Sequence, residues 1–193
     1  MLRKLPFDTN VEVLKRFTLT EEGAAVVTPE GSPEATIAAL FQNGQMPDMV
    51  NFFAHGMPPR EGVCWAIAVH HDLQKNITHH DLSTLAMAEK WVRDPQEGTR
   101  IKLMHEGEQR DSSDPLSWLC NAVAWNGSGS MGPVDGPVVL PPAGLHASAL
   151  LGAIALLAGE TEESYQAVLE SAYRRGLEVA KGGWPLSVEE GKL

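Results

Sequence analysis

One stretch of this chain, residues 58–72, constrains the fold more than any other because its middle is apolar without interruption. All seven residues from Val63 to Val69 are apolar, and a helix that is apolar on every side must be covered on several sides. Pro59 suits the first turn of a helix, where its missing N–H leaves no hydrogen bond unmade. Glu61 lies near the positive end of the helix dipole. We therefore predict a central helix around which the other helices pack.

Proline, glycine and capping residues divide the rest of the chain into further helical segments. Helix starts are predicted after Ser32, at Pro47, near Thr78, at Pro95 and at Pro115. The segments between these points carry apolar residues at helical spacing, and no segment alternates like a strand over a convincing length. Short connections make neighbouring helices fold back on one another, which predicts an all-α fold, a single compact bundle of about eight helices.

The helix predicted over residues 95–110 is unusually polar. Only Ile101, Leu103 and Met104 offer apolar side chains for burial. A helix that is polar around most of its surface has little to pack against a core. We therefore place this helix at the periphery of the bundle.

Glycine and proline are concentrated in residues 127–144, at a density that no helix survives. A loop of this length inside a compact domain is either functional or a linker. An almost wholly apolar segment, 145–158, and then a segment with one apolar stripe follow it and predict a C-terminal helical hairpin. Residues 1–32 are weakly patterned, so we predict an irregular N-terminal arm, followed by one helical domain over residues 33–193 that contains the loop.

The composition excludes several classes of function. A net charge of −10 argues against binding to nucleic acid and favours a basic partner. The longest strongly apolar stretch, residues 147–158, is too short to span a bilayer, and the N-terminus lacks the apolar region of a signal peptide. We expect a cytoplasmic protein with neither a nucleic-acid nor a membrane partner. Cys64 and Cys120 lie in apolar runs and are expected to be buried thiols.

A His-His-Asp-Leu sequence occurs twice, at residues 70–73 and 79–82, around the break between two predicted helices. Histidine and aspartate are competent ligands for divalent metals. Alternatively, Asp81 caps a helix, and His70 and His71 lie at a helix C-terminus, where the dipole favours cations. The candidate metal ligands are His55, His71, Asp72, His79, His80 and Asp81.

Residues 69–75 resemble the metal-binding His-Asp signature of the HD-domain phosphohydrolases, which are also all-helical. The resemblance implies that His71 and Asp72 bind a divalent metal. It also implies His55 as the upstream histidine and Asp111 or Asp114 as the distal aspartate. A metal-dependent phosphohydrolase is therefore the alternative function.

Four blocks of sequence, taken in order, resemble an uncharacterised family of small all-helical bacterial proteins. They are residues 52–66, 88–95, 141–145 and 152–153. Some members of that family are encoded near type VI secretion genes. The resemblance implies an accessory or adaptor role in such a system and offers no catalytic residues.

We therefore expect a non-enzymatic adaptor that binds a protein partner, such as a secretion-system component, and that needs no cofactor. The expected binding surface comprises the 127–144 loop and nearby helix ends. Its residues are Arg60, Glu61, Met131, Val134, Val138, Val139 and Trp184. Trp184 has a second interpretation, as a tether that holds the C-terminal segment on the domain.

Overall fold

The computed structural model describes residues 1–73, 75, 77–133 and 135–186, and in them the protein is an all-α bundle, as predicted. The helices are α1 (Val11–Leu14), α2 (Glu21–Val26), α3 (Pro33–Gln42), α4 (Met46–Gly56), α5 (Pro59–Leu73), α6 (His79–Arg93), α7 (Glu97–Gln109), α8 (Pro115–Ala124), α9 (Leu145–Ala155) and α10 (Glu162–Ala180). A 3₁₀ turn, Leu156–Ala158, extends α9. Eight of these helices, α3 to α10, lie after residue 32.

Helix α5 lies at the centre of the bundle. Every residue from Glu61 to His70 is buried, and α4, α6, α8, α9 and α10 all contact the helix. Trp65 is fully buried, and its Nε1 donates a hydrogen bond to the carbonyl oxygen of Ala172 at 2.9 Å. Its ring also packs at a tilt against Phe53, with 5.1 Å between centroids. The uninterrupted apolar run therefore forms a helix that is covered on several sides, as predicted.

The first 32 residues pack onto the same core. They contain the two short helices α1 and α2. Leu2, Leu5, Val13 and Val27 are buried and belong to the main apolar cluster. These hydrophobic contacts hold the segment against the bundle.

Helix α7 is less peripheral than its polar sequence suggests. Leu103 and Met104 are buried as predicted, but Ile101 is partly exposed and Arg100 is only 1% exposed. The prediction failed at Arg100 because a guanidinium can be buried when carbonyl and carboxylate oxygens accept from its donors. The carboxylate is that of Glu97 on the same helix, and the carbonyl oxygens come from elsewhere in the fold.

Both cysteines are buried free thiols, as predicted. Burial raises the pKa of Cys64 and that of Cys120 to about 12. Neither side chain is therefore a thiolate at neutral pH. Among the described helices, none is long and apolar enough to cross a membrane.

Truncation of Trp65 tests the central packing. Trp65→Ala should lower the free energy of unfolding by about 3–5 kcal/mol, since it leaves a large cavity and removes a buried hydrogen bond. Trp184 is 42% exposed and provides a matched control. Trp184→Ala should cost about 1 kcal/mol or less. The measurement is urea denaturation followed by circular dichroism, and equal losses for the two variants would contradict the assigned core.

Candidate functional site

One buried side chain, Arg100 of α7, holds the loop between α8 and α9 against the helices. Its Nη1 donates to the carbonyl oxygen of Ala124 at 2.8 Å, and its Nη2 donates to that of Ser130 at 2.9 Å. Nε and Nη2 also donate to the two carboxylate oxygens of Glu97, at 2.7 and 2.6 Å. The planar guanidinium therefore joins α7, the end of α8 and the first part of the loop.

Gly129 makes this arrangement possible. A Cβ atom at this position would lie 2.7 Å from Nε of Arg100, far inside van der Waals contact. A side chain at residue 129 would therefore displace the guanidinium or the loop. The close approach explains the glycine in physical terms.

Two distant parts of the loop are joined by hydrogen bonds. Ser130 Oγ accepts from the N–H of Gly132 at 3.1 Å and from that of Val139 at 3.0 Å. The N–H of Met131 donates to the carbonyl oxygen of Val139 at 2.8 Å. Both backbone polar groups of Val139 are thus bonded to the segment that Arg100 holds.

The neighbours of Val139 present their backbone groups differently. Among the described residues, none bonds to the N–H or the C=O of Val138 or Leu140. These backbone groups of Val138 and Leu140 are thus unpaired within the described residues, in contrast to those of Val139.

The same three residues also expose apolar side chains. Val138 is 77% exposed, Val139 46% and Leu140 61%. The other exposed large apolar residues of the described chain are scattered singly: Met1, Leu82, Leu156 and Trp184. We call residues 138–140 the apolar edge. Of the other loop residues predicted for binding, Met131 is half-buried and Val134 lies outside the described residues.

Three further residues predicted for binding take part in contacts within the protein. Arg60 donates to the carbonyl oxygens of Val92 and Arg93 at the end of α6. Its guanidinium also lies 5.0 Å from the ring centroid of Trp184. Glu61 is 7% exposed and accepts from Lys4 Nζ at 2.6 Å. Arg60 therefore connects the N-terminus of α5 to the end of α6, and Glu61 connects it to the N-terminal segment. Trp184 packs against the Arg60 guanidinium.

The first His-His-Asp-Leu sequence lies at the end of α5, where its polar residues face different helices. His71 Nε2 lies 2.7 Å from Glu89 Oε1 of α6. Asp72 instead accepts from Arg175 of α10, at 2.7 and 2.9 Å, and from Arg174, at 2.6 Å. The two residues predicted to share a metal therefore pair with separate partners.

The second His-His-Asp-Leu sequence begins α6 and joins a network around Arg110. The Arg110 side chain is 7% exposed and donates to Asp81, Glu106 and Asp114 at 2.6–2.9 Å. His80 Nε2 lies 3.0 Å from Glu106 Oε1. Asp81 also completes a capping box with Thr78, the N-cap of α6. These contacts explain His80 and Asp81 by helix capping and ion pairing.

The remaining candidate ligands lie apart. His79 is exposed at the first turn of α6, and His55 of α4 stacks on Phe17, with 5.2 Å between ring centroids. In the part of the chain that the structure describes, no three His, Cys, Asp or Glu side chains are grouped to hold a metal ion. The structure thus does not bring the predicted metal ligands together.

Sequence reasoning did not identify the two arginines that organise this half of the molecule. Local spacing carried a signal for each of them: Glu97 precedes Arg100 by three residues, and Glu106 precedes Arg110 by four. Such spacing usually indicates exposed helical ion pairs, which contribute little to stability. Each arginine also has acceptors that are distant in sequence, which local spacing does not reveal: Ala124 and Ser130 for Arg100, and Asp81 for Arg110.

Residues 36–180, from α3 to the end of α10, match a family of unknown function, DUF6931. The chain belongs to this family. The resemblance to an uncharacterised family is thus confirmed, and the matched region contains the helical bundle, the loop and Arg100. A search of the curated proteins and of the solved structures finds no match. The function must therefore be argued from the geometry.

Replacement of Arg100 tests its hold on the loop. Arg100→Met should lower the free energy of unfolding by about 2–4 kcal/mol, because the carbonyl oxygens of Ala124 and Ser130 lose their donors. Lys102→Met, an exposed change on the same helix, should change the free energy of unfolding by no more than about 0.5 kcal/mol. Hydrogen exchange at the Met131 and Val139 amides should accelerate in Arg100→Met alone. Unchanged exchange would contradict the role assigned to Arg100.

The ion pairs of Asp72 predict a pH dependence of stability. Burial raises the pKa of Asp72, but hydrogen bonds from Arg175 and Ser171 and the two arginine charges outweigh it and lower the pKa overall. Because the folded-state pKa is depressed, the stabilisation is present above the unfolded pKa of about 3.9 and is lost as the pH falls through the folded value.

Asp72→Asn should therefore lower the free energy of unfolding by about 1–2 kcal/mol at pH 7, after solvent screening is allowed for. Below about pH 4 the loss should be smaller. Exposed Asp8 supplies the control, Asp8→Asn, which should change little at either pH. Urea denaturation at pH 7 and pH 3 measures both variants. A cost for Asp72→Asn that does not shrink in acid would refute the assignment.

Proposed function

We propose that this protein is a non-enzymatic adaptor that binds an extended segment of a partner protein along the apolar edge. The observation that carries the proposal is three consecutive exposed apolar side chains, 138–140, on a loop that Arg100 and Ser130 hold in place. Exposed apolar residues that occur singly need no explanation, whereas a contiguous group marks an interaction site.

The mode of binding that fits this edge is strand addition. A partner segment in extended conformation would pair with the N–H and C=O groups of Val138 and Leu140 and cover their side chains. Pro137 and Pro141 flank the edge and have no N–H to donate. They limit the pairing to a few residues, which protects the edge against pairing with unrelated strands.

The hydrogen bonds inside the loop favour this role. Val139 is already bonded through both its N–H and its C=O to the segment that Arg100 holds. The apolar edge is therefore already partly ordered in the free protein, so it loses less conformational entropy when a partner binds. An adaptor with an ordered edge loses less free energy on binding than one whose loop must fold.

The charge of the protein indicates the chemistry of the partner. A net charge of −10 attracts a basic partner and accelerates its association. We therefore propose a partner segment with apolar residues at the edge and basic residues beside it. The family resemblance makes components of a type VI secretion system the first partners to test.

Substitutions at the apolar edge test the proposal. A partner is first captured from the source cells and purified. The double variant Val138→Asn, Leu140→Asn should lower the affinity for this partner by at least about tenfold, since two contacts that become buried on binding are lost. The matched control is Leu82→Asn, Leu156→Asn, which changes two exposed apolar residues on helical surfaces. Isothermal titration calorimetry measures each affinity. Equal affinity of the edge variant and the wild type would remove the apolar edge from the function.

A second variant separates strand addition from side-chain contact. Val138→Pro keeps an apolar side chain but removes the N–H that a paired strand needs. Binding should fall in Val138→Pro and remain in Val138→Ile. Full affinity in both variants would show that the backbone edge is not used.

A further inference from the structure

A cavity of about 580 Å³ lies between the residues that follow α1, the end of α4, the start of α9 and the loop. Its polar lining includes Lys15, Arg16, His55, Asn126 and His146, and Trp125 provides an aromatic wall. None of the described residues that line it is an aspartate or a glutamate, although the chain has 25 acidic residues. The cavity is therefore a positive site on an acidic protein.

The N-terminus of α9 contributes to this positive potential. Gly144 is its N-cap, with φ of +86°, and no side chain caps the helix. Among the described residues, none accepts from the N–H of His146 or Ala147, and both residues line the cavity. Unbonded N–H groups at a helix start carry about half a positive charge.

Arg16 supplies an exposed positive charge beside the cavity. The Lys15 hydrogen bond and charge chiefly, and the Arg16 charge to a smaller extent, lower the pKa of the nearby Glu12 carboxyl. Arg16 Nη1 donates to the carbonyl oxygen of His55 at 2.6 Å, and its guanidinium lies 5.4 Å from the ring centroid of Phe7. In the described part of the chain, no carboxylate pairs with it. Lys15, in contrast, is paired with Glu12 at 2.6 Å.

The two histidines add polar groups without adding charge. Burial and the Arg16 charge lower the pKa of His55. Burial lowers the pKa of His146 to about 4, and the hydrogen bond to Ala122 opposes this effect only in part. His146 Nδ1 donates to the carbonyl oxygen of Ala122 at 2.7 Å, so Nε2 is an acceptor, and this buried atom has no partner among the described residues.

We propose that this cavity binds a carboxylate group attached to an apolar body, with its oxygens at the first turn of α9 and at Arg16. One guanidinium and the helix end match a single negative charge better than the double charge of a phosphate. Trp125, Met57, Pro141 and Pro142 offer apolar contact for the body. The volume is typical of a site for a small ligand.

A free organic acid and the terminal carboxylate of a peptide share this chemistry. The proposal does not rest on strand addition at residues 138–140, because none of those three residues lines the cavity. Failure of one proposal therefore leaves the other standing. Each is tested with its own variants.

Nuclear magnetic resonance titration of the full chain tests the cavity. Sodium benzoate, indole-3-acetate and the tripeptide Ala-Ala-Trp with a free C-terminus are the carboxylate probes. Benzamide, the amidated tripeptide and inorganic phosphate are the matched controls. We expect saturable shifts of the Gly144, His146 and Ala147 amides with at least one carboxylate probe and none with its neutral counterpart. Tighter binding of the free tripeptide identifies a peptide terminus as the ligand, and tighter binding of the small acids identifies an organic acid.

Arg16→Gln should weaken the binding by at least about tenfold, as expected for a charge-assisted hydrogen bond. Exposed Lys102 provides the control Lys102→Gln, which should leave the affinity unchanged. Arg16 also donates to the carbonyl oxygen of His55, so its replacement can disturb the local structure. A second measurement therefore uses the unmodified protein. Bound carboxylate should raise the pKa of His55, because its negative charge offsets that of Arg16.

Four results would overturn the proposal. They are the absence of saturable shifts with every carboxylate probe, equal binding of the neutral amides, preferential binding of phosphate, and wild-type affinity in Arg16→Gln together with an unshifted His55 pKa. Each result would show that the cavity does not select a single negative charge on an apolar body.

Discussion

The burial of Val63 to Val69 on all sides of α5 is the constraint on which the rest of the structure depends. Five helices contact α5, and polar residues at its two ends form ion pairs with neighbouring segments. At the head, Glu61 pairs with Lys4 of the N-terminal segment. At the tail, Asp72 pairs with Arg175 of α10. The apolar middle thus lies at the centre of the buried core, and the charged ends pair with the N-terminal segment and with α10.

A second level of organisation comes from two arginines with buried side chains, Arg100 of the polar helix α7 and Arg110 at its C-cap. Arg100 binds the loop and the end of α8, and Arg110 joins α7 to the start of α6 through Asp81. Both side chains are nearly inaccessible to solvent, so the surrounding oxygens must satisfy their donors. As a result, the Gly/Pro-rich loop packs closely and still presents apolar residues outward.

The loop takes part in both proposed sites. Residues 138–140 are exposed, and the backbone groups of Val138 and Leu140 are unpaired within the described residues, whereas Pro141 and Pro142 line the cavity beside α9. Within five residues, 138–142, the loop thus passes from exposed apolar side chains to residues that line a positive cavity. One segment of this chain therefore contributes to both of the surfaces proposed above.

The sequence by itself determined the helices after residue 32 and their order, because helix starts depend on local features such as Pro33 and the Thr78 cap. It did not determine α1 and α2, which lie in the segment predicted to be irregular. It also determined that α5 is buried, because an uninterrupted apolar run has no polar side to expose. Only the tertiary structure decided the sites. His71 and Asp72 are adjacent in sequence but turn to different helices, and Arg100 is buried because Ala124 and Ser130 supply oxygens 24 and 30 residues away. Contacts at that separation depend on how the helices pack, which local sequence patterns do not encode.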